Sequence, residues 1–281
     1  MKKILVIGSK GMAGHVIYWS LPLLGEYNVY GVARNVEPTD RIFNLDVSDT
    51  KALKKILDLQ FDVVINCIGI LNKDAEDNSH KAIWFNSYFP HLLAALTKDS
   101  KTKLISISTD CVFSGKRGGY SENDFKDGEG FYATSKALGE VNNQKDLTIR
   151  TSIIGPELNK DGIGLFNWFM HQTGEINGYS TAIWSGVTTL ELAKAIDYAI
   201  TNPLSGLVHL TNEIPVNKFD LLHLFKAIWD KKDLRIKAFE GKVVDKSLKK
   251  SERFNYQVPS YKEMLTDQHN WMEKFANLYK Y

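Results

Sequence analysis

Tyr132 and Lys136 stand four residues apart in Phe131-Tyr132-Ala133-Thr134-Ser135-Lys136-Ala137-Leu138-Gly139-Glu140, a stretch with the residue types of a good helix. That spacing puts both side chains on one helical face, about a turn apart. A phenol with its ordinary pKa near ~10 exchanges protons poorly at neutral pH, and a neighbouring ammonium favours the phenolate and lowers that value. The expected chemistry is proton transfer at Tyr132, tuned by Lys136. An isolated Tyr-xxx-Lys is more often a surface helix with a half-buried tyrosine, so the elements around it decide.

Upstream, residues 103–108 predict a strand that runs into Ser108-Thr109-Asp110-Cys111-Val112-Phe113-Ser114-Gly115. A small hydroxyl at a strand end, followed by the Tyr132 helix, makes a three-part site of Thr109, Tyr132 and Lys136. At the start of the chain, the apolar run 4–7 predicts a strand buried on both faces; Gly8-Ser9-Lys10-Gly11-Met12-Ala13-Gly14 follows at once, then a helical pattern through Leu24. Glycines at 8, 11 and 14 permit a tight turn, approach of backbone to phosphate, and close packing of helix on strand. The expectation is a dinucleotide seated on Gly8, Lys10, Gly11, Met12, Ala13 and Gly14. A second strand over 28–33 ends at Arg34, where an acidic residue would accept from a ribose 2′-hydroxyl and a guanidinium suits a 2′-phosphate. Arg34 and Lys10 therefore favour NADPH, with Glu37 and Asp40 nearby keeping NAD as the alternative.

The other elements must position these groups. Residues 43–47 read as a short strand and turn, with Asp46 and Val47 bordering the adenine and Ser48 capping the next helix. Residues 62–69 read as a fourth strand that brings Cys67, Ile68 and Gly69 to the crevice edge. A helix over 80–98 carries Pro90 as an interior breaker, and Asn86, one turn earlier, faces the sheet and the cofactor or else bridges the kink. Further strands are expected over 147–151 and 206–210, and Thr188-Thr189-Leu190-Glu191 reads as a capping box opening a helix through Ile200. Strands alternating with helices predict an α/β fold: a Rossmann-type doubly wound parallel sheet with ligands at the strands' C-terminal ends. The dinucleotide-binding domain is expected over 1–154 plus 188–210, and a smaller C-terminal substrate lobe over 155–187 plus 211–281. That lobe carries Lys231, Lys232, Arg235, Lys237, Lys242, Lys246, Lys249, Lys250 and Arg253, of which one or two can hold a diphosphate while the rest form a solvated face. Its aromatic residues Trp168, Tyr179 and Trp184 are candidates for stacking on a base or sugar, against the commoner role of core packing.

The whole chain sets bounds. At 281 residues and a formal charge of +2, it has room for a large core and no global field that argues for nucleic acid or membrane. The apolar run behind Met1-Lys2-Lys3 stops at Gly8 without a small-residue cleavage site, so it reads as a strand and not as a leader. Cys67 and Cys111 give no disulfide framework, the seven histidines are scattered, and no metal site is expected. The expected setting is a reducing cytoplasm. No Gly-x-Ser-x-Gly elbow is present, which disfavours a serine hydrolase.

Taken together, Gly8-xx-Gly11-xx-Gly14, Asp46-Val47, Ser108-Thr109-Asp110-x-Val112-Phe113, Tyr132-xxx-Lys136 with Gly139-Glu140, and Leu147-Thr148-Ile149-Arg150-Thr151 resemble the extended short-chain dehydrogenase/reductase family. Within it the chain is similar to dTDP-4-dehydrorhamnose reductases and related nucleotide-sugar reductases, from Met1 to about Ala199 and more faintly beyond. The resemblance implies an NADPH-dependent reduction of a 4-keto group on a nucleotide-activated deoxysugar, for surface polysaccharide synthesis. It implies Thr109, Tyr132 and Lys136 as catalytic residues, with Tyr132 and Lys136 also bound to the cofactor and Lys136 holding the nicotinamide ribose, Asp110 and Trp184 towards the substrate, and a homodimer paired through helices. Three positions depart from the pattern: Met12 stands where glutamine is usual, Cys111 where tyrosine is common, and Ile153 where tryptophan is often found. The last two bear on which sugar is taken. An epimerase or dehydratase using the same Tyr/Lys pair, or a non-catalytic NADP-binding regulatory subunit, are the alternative readings.

Overall fold

The apolar run 4–7 forms the inner part of β1 (Lys2–Ile7), and each of its side chains is fully buried. Ile4 and Val6 join one core cluster with α1 (Met12–Leu24), while Leu5 and Ile7 join another on the opposite face. A strand covered on both sides requires that alternation. The computed structural model describes residues 1–202, 204–241, 243–279 and 281, so Lys242 lies outside the described residues.

After α1 the chain lays down β2 (Tyr27–Ala33), β3 (Ile42–Asn44), α2 (Thr50–Leu57) and β4 (Val63–Asn66). Asp49, not Ser48, caps α2, accepting from Ala52 N at 3.0 Å. Ser48 instead donates its hydroxyl to Asp46 Oδ1 at 2.7 Å, because the aspartate one position later already sits at the helix entry. Next come α3 (Asn72–Asp77), α4 (Ser79–Ala82), a π-helical turn (Ile83–Tyr88) and α5 (Phe89–Leu96). The expected break at Pro90 is absent. Pro90 occupies the first turn of α5, where its missing N–H costs nothing, and the wider π turn before it absorbs the misfit.

β5 (Lys103–Thr109) leads through a 3₁₀ turn (Asp110–Val112) and a loop to α6 (Gly130–Leu138), then β6 (Leu147–Thr151) and β7 (Ile153–Ile154). Beyond them lie α7 (Leu165–Met170), β8 (Glu175–Tyr179), β9 (Ala182–Trp184), β10 (Val187–Thr188), α8 (Thr189–Thr201) and β11 (Gly206–His209). The chain closes with β12 (Val216–Asn217), α9 (Lys218–Ile228), β13 (Arg235–Phe239), β14 (Val244–Asp245), α10 (Tyr261–Lys274) and a 3₁₀ turn (Ala276–Leu278).

Seven parallel strands form the central sheet in the order β11-β6-β5-β4-β1-β2-β3. The winding reverses between β1 and β4, which opens a crevice at their C-terminal ends. The fold is therefore the doubly wound Rossmann type. Smaller sheets pair β7 with β10 and β8 with β13, and set β9 between β12 and β14. One apolar cluster runs without interruption from Ile4 and Val16 into Phe225 and Met264, so α9 and α10 share the core beneath the main sheet. At the start of α8 half of the expected capping box forms: Thr188 accepts from Glu191 N at 3.1 Å, but Glu191 turns to Tyr256 and Lys194. The full reciprocal box is at Ser260 and Glu263, opening α10.

The crossing of α6 over the π turn is tight. A Cβ at Gly139 would fall inside the Asn86 carbonyl oxygen, although the Gly139 backbone, at φ −86°, is one any residue adopts. Gly139→Ala is expected to lower stability by about 1–3 kcal/mol through overpacking alone. Urea unfolding midpoints check it, and an unchanged midpoint would mean that α6 can slide.

Candidate active site

The crevice between β1 and β4 is a cleft of about 340 Å³ lined by Gly8, Lys10, Gly11, Arg34, Asp46, Val47, Cys67, Ile68 and Gly69, all expected there, and by Val32, Ala33, Asn35, Leu45, Ile70 and Phe85. Gly8 adopts φ +84°, and a Cβ there would meet Ile68 Cγ1 at 3.0 Å. A Cβ on Gly14 would collide with the Gly8 carbonyl, so the third glycine lets α1 close onto the turn. No side chain caps α1, which leaves the N–H groups of Met12 and Ala13 to a ligand at the helix N-terminus. A half-open cleft, a glycine cradle and an uncapped helix start fit the diphosphate of a dinucleotide.

At the far end of the cleft, Arg34 Nη1 lies 3.3 Å from Asp46 Oδ2, both side chains being largely exposed. The Ser48 N–H and hydroxyl hold the Asp46 carboxyl below its usual range, with Arg34 adding to the effect. Arg34 thus stands at the adenosine end with an anionic partner that a phosphate can replace. Asn86 is deeply buried and spends its whole amide within the protein: Oδ1 accepts from Ile70 N at 2.8 Å, and Nδ2 donates to Ile70 O at 2.8 Å and to Ser135 Oγ at 3.0 Å. It shapes the cleft from behind, joining the wall at Ile70 to the Tyr132 helix.

The three-part site assembles at the end of β5. Lys136 is 9% exposed, and its ammonium donates to Ile107 O at 2.7 Å. Burial lowers its pKa from 10.5 to about 8, against the raising pull of Glu140 and Cys67. Cys67 lines the dinucleotide cleft and also feels the Lys136 charge, which places the ammonium at the junction of cleft and catalytic centre. Tyr132 departs from expectation. Burial, reinforced by Cys111 and Asp110, raises its pKa above the usual phenol range; among the groups acting on it, the Thr109 hydroxyl opposes the rise. The phenol is neutral at physiological pH, held as a proton donor and not as the phenolate that the Tyr-xxx-Lys spacing suggests. Desolvation of the half-buried phenol wins while the ammonium is drawn towards Ile107.

Thr109 donates to Asp110 Oδ1 at 3.1 Å and accepts from Cys111 N at 3.1 Å. Asp110 is buried, its pKa raised by that burial against Lys246, Thr109, Cys111 and Ser152. Trp184 is buried as well: its indole N–H donates to Ser152 Oγ at 2.9 Å and its ring lies 5.6 Å from that of Tyr261. It joins the centre through Ser152, which also bonds Asp110. Among the described basic residues of the lobe, Lys246 is the one that acts on both Asp110 and Cys111. It follows β14, which is tied to the catalytic loop by Asp245 N donating to Gly115 O at 2.8 Å. Nothing in the local sequence separates Lys246 from its basic neighbours.

Glu140, just past α6, stands out in the sequence only through its place in Gly139-Glu140. Its carboxylate takes both Arg150 Nε and Nη2 at 2.8 Å and Ser108 Oγ at 2.7 Å, with Arg150 almost wholly buried. This bidentate pair staples α6 to β5 and β6. Among the described residues no group of His, Cys, Asp and Glu is arranged to hold a metal ion, and no helix is long and apolar enough to cross a membrane.

A parallel seven-stranded sheet, a glycine cradle and a Thr/Tyr/Lys centre define the extended short-chain dehydrogenase/reductase fold. The chain matches the RmlD substrate binding domain over residues 1–280 and belongs to that family. It is 34% identical over 140 residues to the probable low-salt glycan biosynthesis reductase Agl14 of Haloferax volcanii, covering 48% of this chain and 46% of that protein. It is 29% identical over 186 residues to dTDP-4-dehydrorhamnose reductase of Mycobacterium tuberculosis, covering 62% of this chain and 61% of that one. The matched stretches thus span about half to three fifths of the curated relatives. The crystal structure of dTDP-4-dehydrorhamnose reductase from Bacillus anthracis in complex with NADP superposes with a TM-score of 0.81 at 22% identity, covering 96% of this chain and 99% of that chain; at this identity the likeness is one of fold.

The Lys136 environment sets a pH signature. Its folded pKa of about 8 lies below the ordinary 10.5, so between these values the unfolded chain binds more protons and native stability rises with pH. Relative to Lys136→Met, the native protein is expected to gain stability as pH rises from 8 towards 10.5. Denaturation of the two proteins across that window tests this; parallel curves would mean that the ammonium is solvated.

Proposed function

We propose that the protein is an NADPH-dependent reductase of a 4-keto group on a nucleotide-activated deoxysugar, serving glycan or surface polysaccharide synthesis. The observation that carries this reading is the convergence of Thr109, the neutral Tyr132 phenol and the buried Lys136 ammonium beside the wall of the dinucleotide cleft at Cys67. The names of the curated relatives, both reductases, support the same class.

The reduced nicotinamide, when bound, supplies the hydride. Tyr132 delivers its proton to the carbonyl oxygen, and burial favours that direction by keeping the phenol protonated until an oxyanion develops. Lys136, fixed by Ile107, stabilises the phenolate left behind. Thr109 reaches the same oxygen by turning its hydroxyl away from Asp110 Oδ1. A dehydratase would need a base at position 111, and burial pushes the Cys111 thiol up to about 11, so it stays protonated and the reductase reading is favoured. Residues 155–187 and 211–281 are proposed to grip the nucleotide sugar, with Lys246 the basic residue best placed to do so, and 1–154 plus 188–210 to hold the NADPH through Gly8, Lys10, Gly11, Met12, Ala13, Arg34, Asp46, Val47, Cys67, Ile68 and Gly69. The proposed setting is the cytoplasm, where free thiols such as Cys67 and Cys111 stay reduced.

We also propose a homodimer. Phe131 and Leu138 lie seven residues apart on α6, and Ile83 and Tyr88 lie on the adjoining π turn; these apolar side chains are 46%, 65%, 53% and 53% exposed. Leu138→Glu is expected to turn a dimer into a monomer in analytical ultracentrifugation; a native protein that sediments as a monomer would remove the dimer.

The first test follows reduced-nicotinamide absorbance with NADPH, NADH and a panel of 4-keto nucleotide sugars. Tyr132→Phe is expected to lose about 10²–10⁴-fold in turnover while binding NADPH as the native protein does. Unchanged turnover would sink the role of Tyr132, and NADPH binding without oxidation across the panel would shift the reading to a retained-cofactor epimerase or a regulatory subunit.

A further inference from the structure

His15, on the first turns of α1, is fully enclosed and makes two hydrogen bonds: Nδ1 to Gly11 O and Nε2 to Tyr279 Oη, each at 2.8 Å. A carbonyl oxygen only accepts, so Nδ1 carries the proton. The ring is neutral, burial having lowered its pKa to about 4, so Nε2 is bare and must accept from the Tyr279 hydroxyl. The Gly11 carbonyl therefore fixes the tautomer, and the Tyr279 hydroxyl, donating to Nε2, holds the ring where its Nδ1–H meets that carbonyl. Without that hydroxyl, Nε2 is left buried with no donor and the ring is free to tilt away from the Gly11 oxygen.

Gly11 is a wall of the dinucleotide cleft and the residue from which α1 departs. Its N–H closes the turn on Gly8 O at 2.9 Å, and its carbonyl also takes the His15 N–H at 3.0 Å. Fixing this peptide fixes the direction in which the N–H groups of Met12 and Ala13 point. The same end of the chain also reaches the segment that packs against Met12, at the start of α1. Tyr281 Oη accepts from Glu157 N at 2.9 Å, and Glu157 Oε1 accepts from Gly164 N at 2.7 Å. Gly164 lies against Met12, whose sulfur would be 3.3 Å from a Cβ there. The Tyr279 and Tyr281 rings stack with centroids 6.0 Å apart, and Trp271 closes the cage around His15 at 6.2 Å.

We propose that Tyr279 and Tyr281, beyond α10, form a clasp on the dinucleotide cleft, in which Tyr279 sets cofactor affinity by holding the His15 ring where its Nδ1–H orders the Gly11 turn. These are positioning residues; neither touches the reacting atoms. The inference rests on the dinucleotide reading of the cleft and extends it to an element far away in sequence.

Tyr279→Phe removes one hydroxyl and leaves the ring packing in place. The expected result is a rise of about three- to tenfold in the NADPH dissociation constant, the worth of one ordering hydrogen bond. Imidazole ¹⁵N shifts should show His15 protonated on Nδ1 in both proteins, with the Nε2 signal moved in the variant by the loss of its hydrogen bond. Tyr256→Phe removes a hydroxyl bonded to Glu191, away from the cleft, and is expected to lower stability with no change in NADPH affinity. A Tyr279→Phe protein that binds NADPH as tightly as the native one overturns the clasp alone. A native protein that binds neither NADPH nor NADH overturns the dinucleotide reading and the clasp with it.

Discussion

A buried ammonium must be held, and the geometry around Lys136 follows from that need. Taking a charged amine out of water is costly unless hydrogen bonds or opposite charge replace its hydration. Here the Ile107 carbonyl supplies the hydrogen bond and Glu140 the nearby charge. Glu140 is in turn held by Arg150 and Ser108 from the sheet, so its carboxylate stays ionised, its pKa lowered by Arg150 despite burial. The helix carrying Lys136 is thus pinned at both ends. Glu76 accepts from Tyr132 N at 3.2 Å at its start, and the Glu140 pair anchors its end.

The π turn belongs to the same constraint. Ser87 Oγ donates to Ser135 O, His91 Nε2 donates to Leu138 O, and Asn86 reaches Ser135, all from the segment of the π turn and α5. A regular helix through Pro90 would rotate these groups away from α6. The wider turn keeps Asn86 aimed at both α6 and Ile70, which couples the catalytic helix to the wall of the cleft. Pairs of weak polar contacts hold the two halves of the site in one frame.

What could be read from the sequence was local. The runs at 4–7 and 63–66 are strands because an apolar run of that length must be buried on both faces, and the glycines at 8, 11 and 14 are steric requirements that show in the letters themselves. From these follow the parallel sheet, the crevice and most of its lining. The unread features depend on partners distant in the chain. Asn86 finds Ser135, Glu191 prefers Tyr256 to its own cap, and His15 meets Tyr279 across 264 positions. Cap choice between Ser48 and Asp49 turns on a one-residue shift in helix start, finer than residue type can fix. Trp184 and Lys246 show the same limit in opposite directions, an aromatic residue drawn into the core and a surface-type cation drawn to the centre.

The shifted groups of the centre share one direction. Burial raises Tyr132, Cys111 and Asp110 and lowers Lys136, so each is moved towards its uncharged form. A site biased in this way resists forming a phenolate in advance, so the proton leaves Tyr132 only as negative charge develops on a bound carbonyl oxygen to take it. The reverse reaction would begin by making that phenolate, with Lys136 and the Thr109 hydroxyl as the groups on hand to stabilise it. Lys136 is bound to Ile107 and Thr109 to Asp110, so both must be redirected first. The forward reaction passes through the same phenolate and the same two redirections, so these bonds order the centre without choosing a direction, and they do so through groups whose positions are set by the sheet and α6.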